Sequence, residues 1–201
     1  MSKTKIAVLV SGGGTNLQAL IDAQSRGEIP HGEITLVISN KEGAYALERA
    51  ANAGIPAVVI TKAACGDQES FEDALLAQLA ACEIDLIVLA GFMSILSKRF
   101  TDAYEKRILN VHPSLIPSFC GEGFYGLRVH RAALDKGVKV TGATVHYVNE
   151  IPDGGRIIAQ KAVDIQPDDT PETLQRRVME QAEWIILPRA VEIVSEKIAN
   201  L

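Results

Sequence analysis

The sequence predicts an α/β protein: an open, mostly parallel sheet with helices on both faces, ending in an antiparallel hairpin. Three observations carry this. Short apolar runs alternate with helix-spaced segments through the first half. Asp85–Ala90 (DLIVLA) has the apolar character of a strand buried on both faces of a parallel sheet. Two alternating runs, Val140–Val148 and Arg156–Val163, flank the turn-forming Pro152-Asp153-Gly154-Gly155.

The elements follow in order. Lys5–Val10 is a β-branched run closed by Ser11-Gly12-Gly13-Gly14, and Leu17, Leu20 and Ile21 give Asn16–Arg26 a helical spacing. Glu33–Ser39 is a second strand. Ala44–Ala53 is a helix stopped by Gly54 at the C′ position. Ala57–Ile60 is a short strand, and Phe71, Leu75, Leu76 and Leu79 stripe a helix over Glu69–Cys82. Repeated strand–helix–strand units of this kind build a parallel sheet. Arg107–Val111 is a further buried strand, Ser118–Gly126 a loop rich in glycine and aromatics, and Val129–Lys136 a helix. A long helix from about Thr173 to Ile198 closes the chain, with Thr170 as N-cap, Pro171 at N1 and an interruption expected at Pro188.

The 201 residues suit one domain, 1–201, with no linker or internal repeat. Hydrophobic residues are 47 % and charged residues 22 %, a globular balance. A formal net charge of −5 and no basic run argue against a nucleic-acid surface. Cys65, Cys82 and Cys120 form no CxxC pair, which disfavours zinc ribbons and thioredoxin-like chemistry and suits a reducing cytoplasm. The apolar run Ile6–Val10 is too short for a signal segment or membrane span.

The strand–SGGGTN–helix junction has the makings of an anion site, because glycines let backbone N–H groups close on an anion at a helix N-terminus. No GK[ST] follows, so it is not a Walker loop. Leu17 occupies the third glycine position of a dinucleotide fingerprint, and the second strand ends in Ser39-Asn40 without a ribose-binding acid. An anion smaller than a dinucleotide fits better; a tight turn without a ligand has the same residues.

Asn110 and His112 stand two apart at the end of an apolar strand, which puts both side chains on one face. A carboxamide and an imidazole there suit acyl-type transfer: the amide donates to a developing oxyanion and the imidazole moves a proton. Asp153 is the candidate carboxylate to favour the imidazolium. Each also has an ordinary reading, Asn-x-His as a capping pair and Asp-Gly-Gly as a hairpin turn. His112, His130 and His146 lack the spacing of metal ligands, so no metal is expected.

Taken together, VLVSGGGTNLQAL, VISNKEGAYALERA, VLAGFMSIL, RILNVHPSLIPSF, GATVHYVNEIPDGGRIIAQ and PETLQRRV resemble the phosphoribosylglycinamide formyltransferase family along nearly the whole chain. The pairing of NVHPSLIP with GATVHxVxExxDGG is the specific part. The resemblance implies a Rossmann-like formyltransferase fold. It also implies transfer of a formyl group from 10-formyltetrahydrofolate to the amine of 5-phosphoribosylglycinamide in purine biosynthesis, directly, through a tetrahedral intermediate and without metal. Carried over by position, Asn110 would stabilise the oxyanion, His112 would protonate the departing folate nitrogen, and Asp153 would keep His112 charged and order a relaying water. His146 would support them. Gly13, Gly14, Thr15 and Asn16 match the loop that cradles the ribonucleotide phosphate; Met93, Ser94, Ile95 and Leu96 match the pteridine-pocket segment. Glu183 is expected to hold the ribose hydroxyls, with Glu180 as the alternative. The implied partners are small molecules, with no nucleic acid or membrane, and family members include monomers and homodimers. Ser94 and Gln68 both stand where folate-contacting arginines occur in some members, and the loop Ser118–His130 is longer than the shortest versions, which suggests a lid.

The rivals are weaker. A formyltransferase acting on initiator tRNA is expected to carry a further C-terminal domain and a basic surface, and a formylfolate hydrolase an N-terminal regulatory domain. A nucleotide-dependent oxidoreductase lacks its third glycine and ribose acid here. A binding-only relative would have no need of the Asn110, His112 and Asp153 set.

Overall fold

The computed structural model describes residues 2–201. Its seven strands lie in the order β3-β2-β1-β4-β5-β6-β7. β1 (Thr4–Val10) is central because both its faces are apolar: its alternate residues Ile6, Val8 and Val10 enter one core, and Ala7 and Leu9 the other. β2 (Gly32–Ser39) and β4 (Leu86–Leu89) flank it in parallel. β3 (Ala57–Val59) and β5 (Ile108–His112) extend the parallel sheet outward. β6 (Val140–Tyr147) and β7 (Ile157–Asp164) then add antiparallel.

Two helical layers cover the sheet. On one face lie α1 (Thr15–Ser25), α2 (Tyr45–Asn52) and α8 (Trp184–Ala199), which supply Leu17, Leu20, Ala46, Leu187 and Val191 to the first core. After the short α3 (Lys62–Cys65), α4 (Gln68–Ala81) brings Phe71, Leu75 and Leu79 to the second, joined by Phe100 of α5 (Lys98–Ala103). Phe71 and Phe100 are fully buried, and truncating either to alanine costs about 3–5 kcal/mol. α3 and α5 lack the periodic run that revealed the longer helices. Their sequence signals are caps: the side chains of Thr61 and Ser97 accept from Ala64 N and Phe100 N.

α6 (Leu127–Lys136) begins earlier than its apolar spacing suggests, so Leu127–His130 of the predicted long loop is its first turn. α7 (Pro171–Val178) starts as expected, with a capping box between Thr170 and Thr173 and Pro171 in the first turn. The expected interruption at Pro188 is displaced. Pro188 sits inside α8, and the irregularity is a π-helical turn at Met179–Glu183, one turn earlier. A π turn loosens the ladder near the bond that proline cannot make. The β6–β7 hairpin pairs as expected, but residues 148–156 form a long connection rather than a tight turn. Among the described residues no helix is long and apolar enough to cross a membrane.

Candidate active site

The parallel strands β1, β4 and β5 all end at one edge of the sheet, and the candidate residues gather there. Asn110 and His112 occupy alternate positions of β5, facing His146 and Thr144 across the antiparallel ladder. His112 is buried, with Nε2 2.9 Å from the Phe119 carbonyl and Nδ1 3.4 Å from Asp153 Oδ2. Both nitrogens thus face acceptors, an arrangement that suits the imidazolium. Burial wins nevertheless: it lowers the His112 pKa from its ordinary value, with Asp153 and the Phe119 carbonyl pulling the other way and His146 adding to the lowering. Asp153 offsets part of this burial cost.

Asp153 reaches this position from the β6–β7 connection in a left-handed conformation, φ 56°. Asp tolerates this better than most residues, and such strain concentrates at functional sites. Gly155 lets the connection close, because a Cβ there would lie 1.7 Å from the Tyr147 carbonyl oxygen. Burial pushes the Asp153 carboxyl pKa up. A hydrogen bond from His146, another from the Gly121 N–H at 2.9 Å, and attraction to His112 and His146 together leave it below its ordinary value. His146 Nδ1 lies 2.8 Å from the Tyr147 carbonyl, so it carries a proton. Its Nε2 stands 3.2 Å from Asn110 Nδ2 and 3.5 Å from Asp153 Oδ1. A neutral ring accepts from Asn110; a charged one donates to Asp153.

Two cavities meet here. The larger, of about 610 Å³, reaches from Asn16 and Glu183 past His112 to the Gly121–Gly126 stretch. The smaller, of about 130 Å³, is walled by Leu89, Phe92, Leu96 and Val148. Asn110, Asp153, Ser94 and Ile95 line both. At the far end Asn16 Nδ2 donates to Glu183 Oε2 at 2.7 Å. The π turn presents Glu183 here, and burial pushes its pKa up to about 7 against the Asn16 hydrogen bond. Glu180 lies outside, lining a separate surface pocket.

The other predicted residues are placed unequally. Met93 and Ile95 are exposed on the rim, whereas Leu96 is buried. Ser94 accepts from Asn40 Nδ2 at 2.8 Å. Gln68 is not in either cavity wall; its Nε2 donates to the Ile95 carbonyl at 3.1 Å and to the buried Glu72. Gly13 and Gly14 form the turn into α1, and Thr15 faces a neighbouring cavity with Trp184. Phe119 and Phe124 pack edge to face, and Arg128 lies 4.7 Å over the Tyr125 ring, so these loop aromatics are partnered. The sequence reading missed the Phe119 carbonyl and the Gly121 N–H, since main-chain groups carry no residue signature.

The chain matches the formyl transferase family over residues 4–191. The phosphoribosylglycinamide formyltransferase of Haemophilus influenzae is 44 % identical over 192 residues, 96 % of this chain and 87 % of that protein. The trifunctional purine biosynthetic protein adenosine-3 of Gallus gallus is 46 % identical over 194 residues, 96 % of this chain but 19 % of that protein. The chain therefore spans about a fifth or less of the length of such trifunctional relatives. Among solved structures, glycinamide ribonucleotide transformylase 1 from Symbiobacterium toebii superposes with a TM-score of 0.91 at 42 % identity, covering 97 % of this chain and 89 % of that one. Phosphoribosylglycinamide formyltransferase from Brucella melitensis gives 0.88 at 42 %, covering 96 % of each.

Proposed function

The chain belongs to the formyl transferase family, and from that premise we propose that it transfers the formyl group of 10-formyltetrahydrofolate to the amine of 5-phosphoribosylglycinamide. One observation carries the reading: a small cavity and a larger one share Asn110 and Asp153 at their junction. The first fits a flat heterocycle, with Leu89, Phe92 and Leu96 for its faces and Asn110, His146 and Asp153 for its polar edge. The second fits the ribose and amine of a ribonucleotide, with Glu183 for the hydroxyls and Asn16 at the end nearest the glycine loop, which would take the phosphate.

The donor supplies the formyl carbon, to which the acceptor amine forms a new C–N bond as the bond to the folate nitrogen breaks. With His146 neutral, Asn110 keeps one amide N–H on its Nε2 and has the other free for the formyl oxygen as its carbon becomes tetrahedral. His112 gives the leaving nitrogen its proton, and Asp153 stabilises the imidazolium before that transfer. The proton released by the amine returns through a water ordered by Asp153. We read no metal into this scheme, because the charge changes fall on groups that Asn110, His112 and Asp153 already face.

The test is turnover with both substrates and a control lacking the ribonucleotide. Ribonucleotide-dependent formation of tetrahydrofolate, lost in Asn110→Ala, is expected. Equal turnover without the ribonucleotide would point to hydrolysis of the donor, and no turnover would overturn the reading.

A further inference from the structure

We propose that Glu72 and Gln68 are positioning residues for the formyl donor: from behind the site they hold the irregular segment 91–97, which walls the smaller cavity. This rests on the reading above, in which that cavity takes the donor's heterocycle.

The segment needs holding. Residues 91–97 join β4 to α5 and belong to neither a helix nor a strand. Phe92, Ser94, Ile95 and Leu96 nevertheless line the smaller cavity. Backbone groups outside a ladder need other partners, and three side chains supply them here. Ser11 accepts from the Met93 N–H at 2.8 Å. Gln68 Nε2 donates to the Ile95 carbonyl at 3.1 Å. Glu72 Oε1 accepts from the Ser97 N–H at 2.7 Å.

Glu72 stands on fixed ground. It belongs to α4, whose Phe71, Leu75 and Leu79 are fully buried in the second core. Only 1 % of Glu72 is exposed, and it makes no ion pair among the described residues. Its partners are neutral donors: the Ser97 N–H, the Ser97 hydroxyl, and Gln68 Nε2 at 2.8 Å. An ionised carboxylate is an acceptor only, so it takes all three at once. Burial pushes the Glu72 pKa up, and the hydrogen bonds from Ser97 and Gln68 outweigh it and leave it below its ordinary value.

Gln68 stands one turn before Glu72 and uses its amide N–H groups on two acceptors, Glu72 and the Ile95 carbonyl. The carboxylate thereby orients the amide, and the amide fixes Ile95. Starting α5 requires less than this. The Ser97 hydroxyl already caps that helix by accepting from the Phe100 N–H at 3.3 Å. A buried carboxylate costs more than such a cap warrants, and Gln68 donates to no residue of α5. What the added groups reach is the cavity wall, which they tie to a rigid helix.

The experiment compares wild type, Glu72→Gln and Gln68→Leu by KM for donor and acceptor, by calorimetric Kd for tetrahydrofolate, and by amide hydrogen exchange of residues 91–97. Glu72→Gln is expected to raise the donor KM and the Kd about tenfold. Gln68→Leu leaves the Ser97 bonds to Glu72 in place and should raise them about threefold. The acceptor KM and kcat should stay within about twofold, and exchange in the segment should quicken in both variants. The same penalties should appear with 10-formyltetrahydropteroate, a donor without the glutamyl tail. A Gln68→Leu penalty that vanishes with that donor would mean that Gln68 touches the tail itself, and would overturn the positioning role. A lowered Tm with unchanged donor constants would mean that the pair only supports α5. Equal losses for donor and acceptor would mean a general loosening, and either result overturns the proposal. A wild type that neither binds tetrahydrofolate nor turns over would instead overturn the assignment of the smaller cavity to the donor, and this proposal with it.

Discussion

Replacing Asp153 by asparagine tests the reasoning about His112 most directly. The side chain keeps its shape and loses its charge. Asp153 Oδ2 lies 3.4 Å from His112 Nδ1, and both side chains are largely buried. Two unit charges at 3.4 Å attract by roughly 5 kcal/mol at an effective dielectric constant of about 20. The carboxamide oxygen still accepts a hydrogen bond and the site relaxes, so the net loss is about 2–3 kcal/mol, the range for a hydrogen bond to a charged group. In kcat this is a loss of roughly 30- to 160-fold. The sign with pH follows. Burial already holds the His112 pKa below its ordinary value, and Asp153 is the largest influence opposing it. Without the carboxylate the pKa falls further. The rate limb that needs the imidazolium, high below the pKa and falling as pH rises through it, moves to lower pH. The assay is kcat against pH for both proteins, with an NMR titration of the His112 ring. An unchanged His112 pKa in Asp153→Asn would sink the electrostatic role assigned to Asp153, whatever the loss of rate.

Two further predictions concern groups whose burial is written into stability. Glu183 has a folded pKa of about 7 against an ordinary 4.5, so the stability tied to its protonated form is full below pH 4.5 and lost as pH rises toward 7. His130 is driven by burial from 6.5 to about 4, with His112 adding to the lowering, so its contribution runs the other way and is lost as pH falls from 6.5 to 4. Each effect amounts to roughly 2–4 kcal/mol, and in the wild type they oppose each other. Glu183→Gln should therefore unmask stability that falls with acid, and His130→Leu stability that falls toward neutrality, both read from denaturant midpoints between pH 4 and 7. Parallel pH profiles in the two variants would contradict this. Gly14→Ala meets both a φ of 70° and the 2.7 Å approach to Ala46 Cβ. It should lower stability by about 1–3 kcal/mol and raise the KM of the phosphorylated acceptor, measured by melting and steady-state kinetics.

The order of strands and long helices was legible because burial leaves a period in the sequence. β1, β4 and α4 have apolar residues at the spacing their packing demands, and Thr170-Pro171 marks a helix start by chemistry alone. Asn110 and His112 were legible for the same reason: a period of two fixes their common face once the strand is found. The position of Asp153 was not. It depends on how residues 148–156 fold back over β5 and β6, which no local pattern encodes. The π turn was equally hidden. Pro188 announces a missing ladder bond but not how the helix accommodates it, and the accommodation is what brings Glu183 to Asn16.

That accommodation matters because of where the sheet changes direction. From β1 the chain steps outward to β2 and β3, then returns across β1 to β4 and β5. The connections leaving β1 and β4 consequently diverge, opening a crevice at the carboxyl ends of two adjacent parallel strands. An open crevice is only a location; a site needs its walls fixed. Ser11, after β1, accepts from the Met93 N–H, after β4, at 2.8 Å and ties the two lips together. Asn16 and Glu183 tie the same lip to the C-terminal helices. Gly121 and Asp153 join the loop after β5 to the β6–β7 connection. Each tie joins segments far apart in sequence and uses a polar group that also borders a cavity. A ligand that binds there meets groups already held by one partner, so the ordering cost is met by the fold and little is left for the binding step.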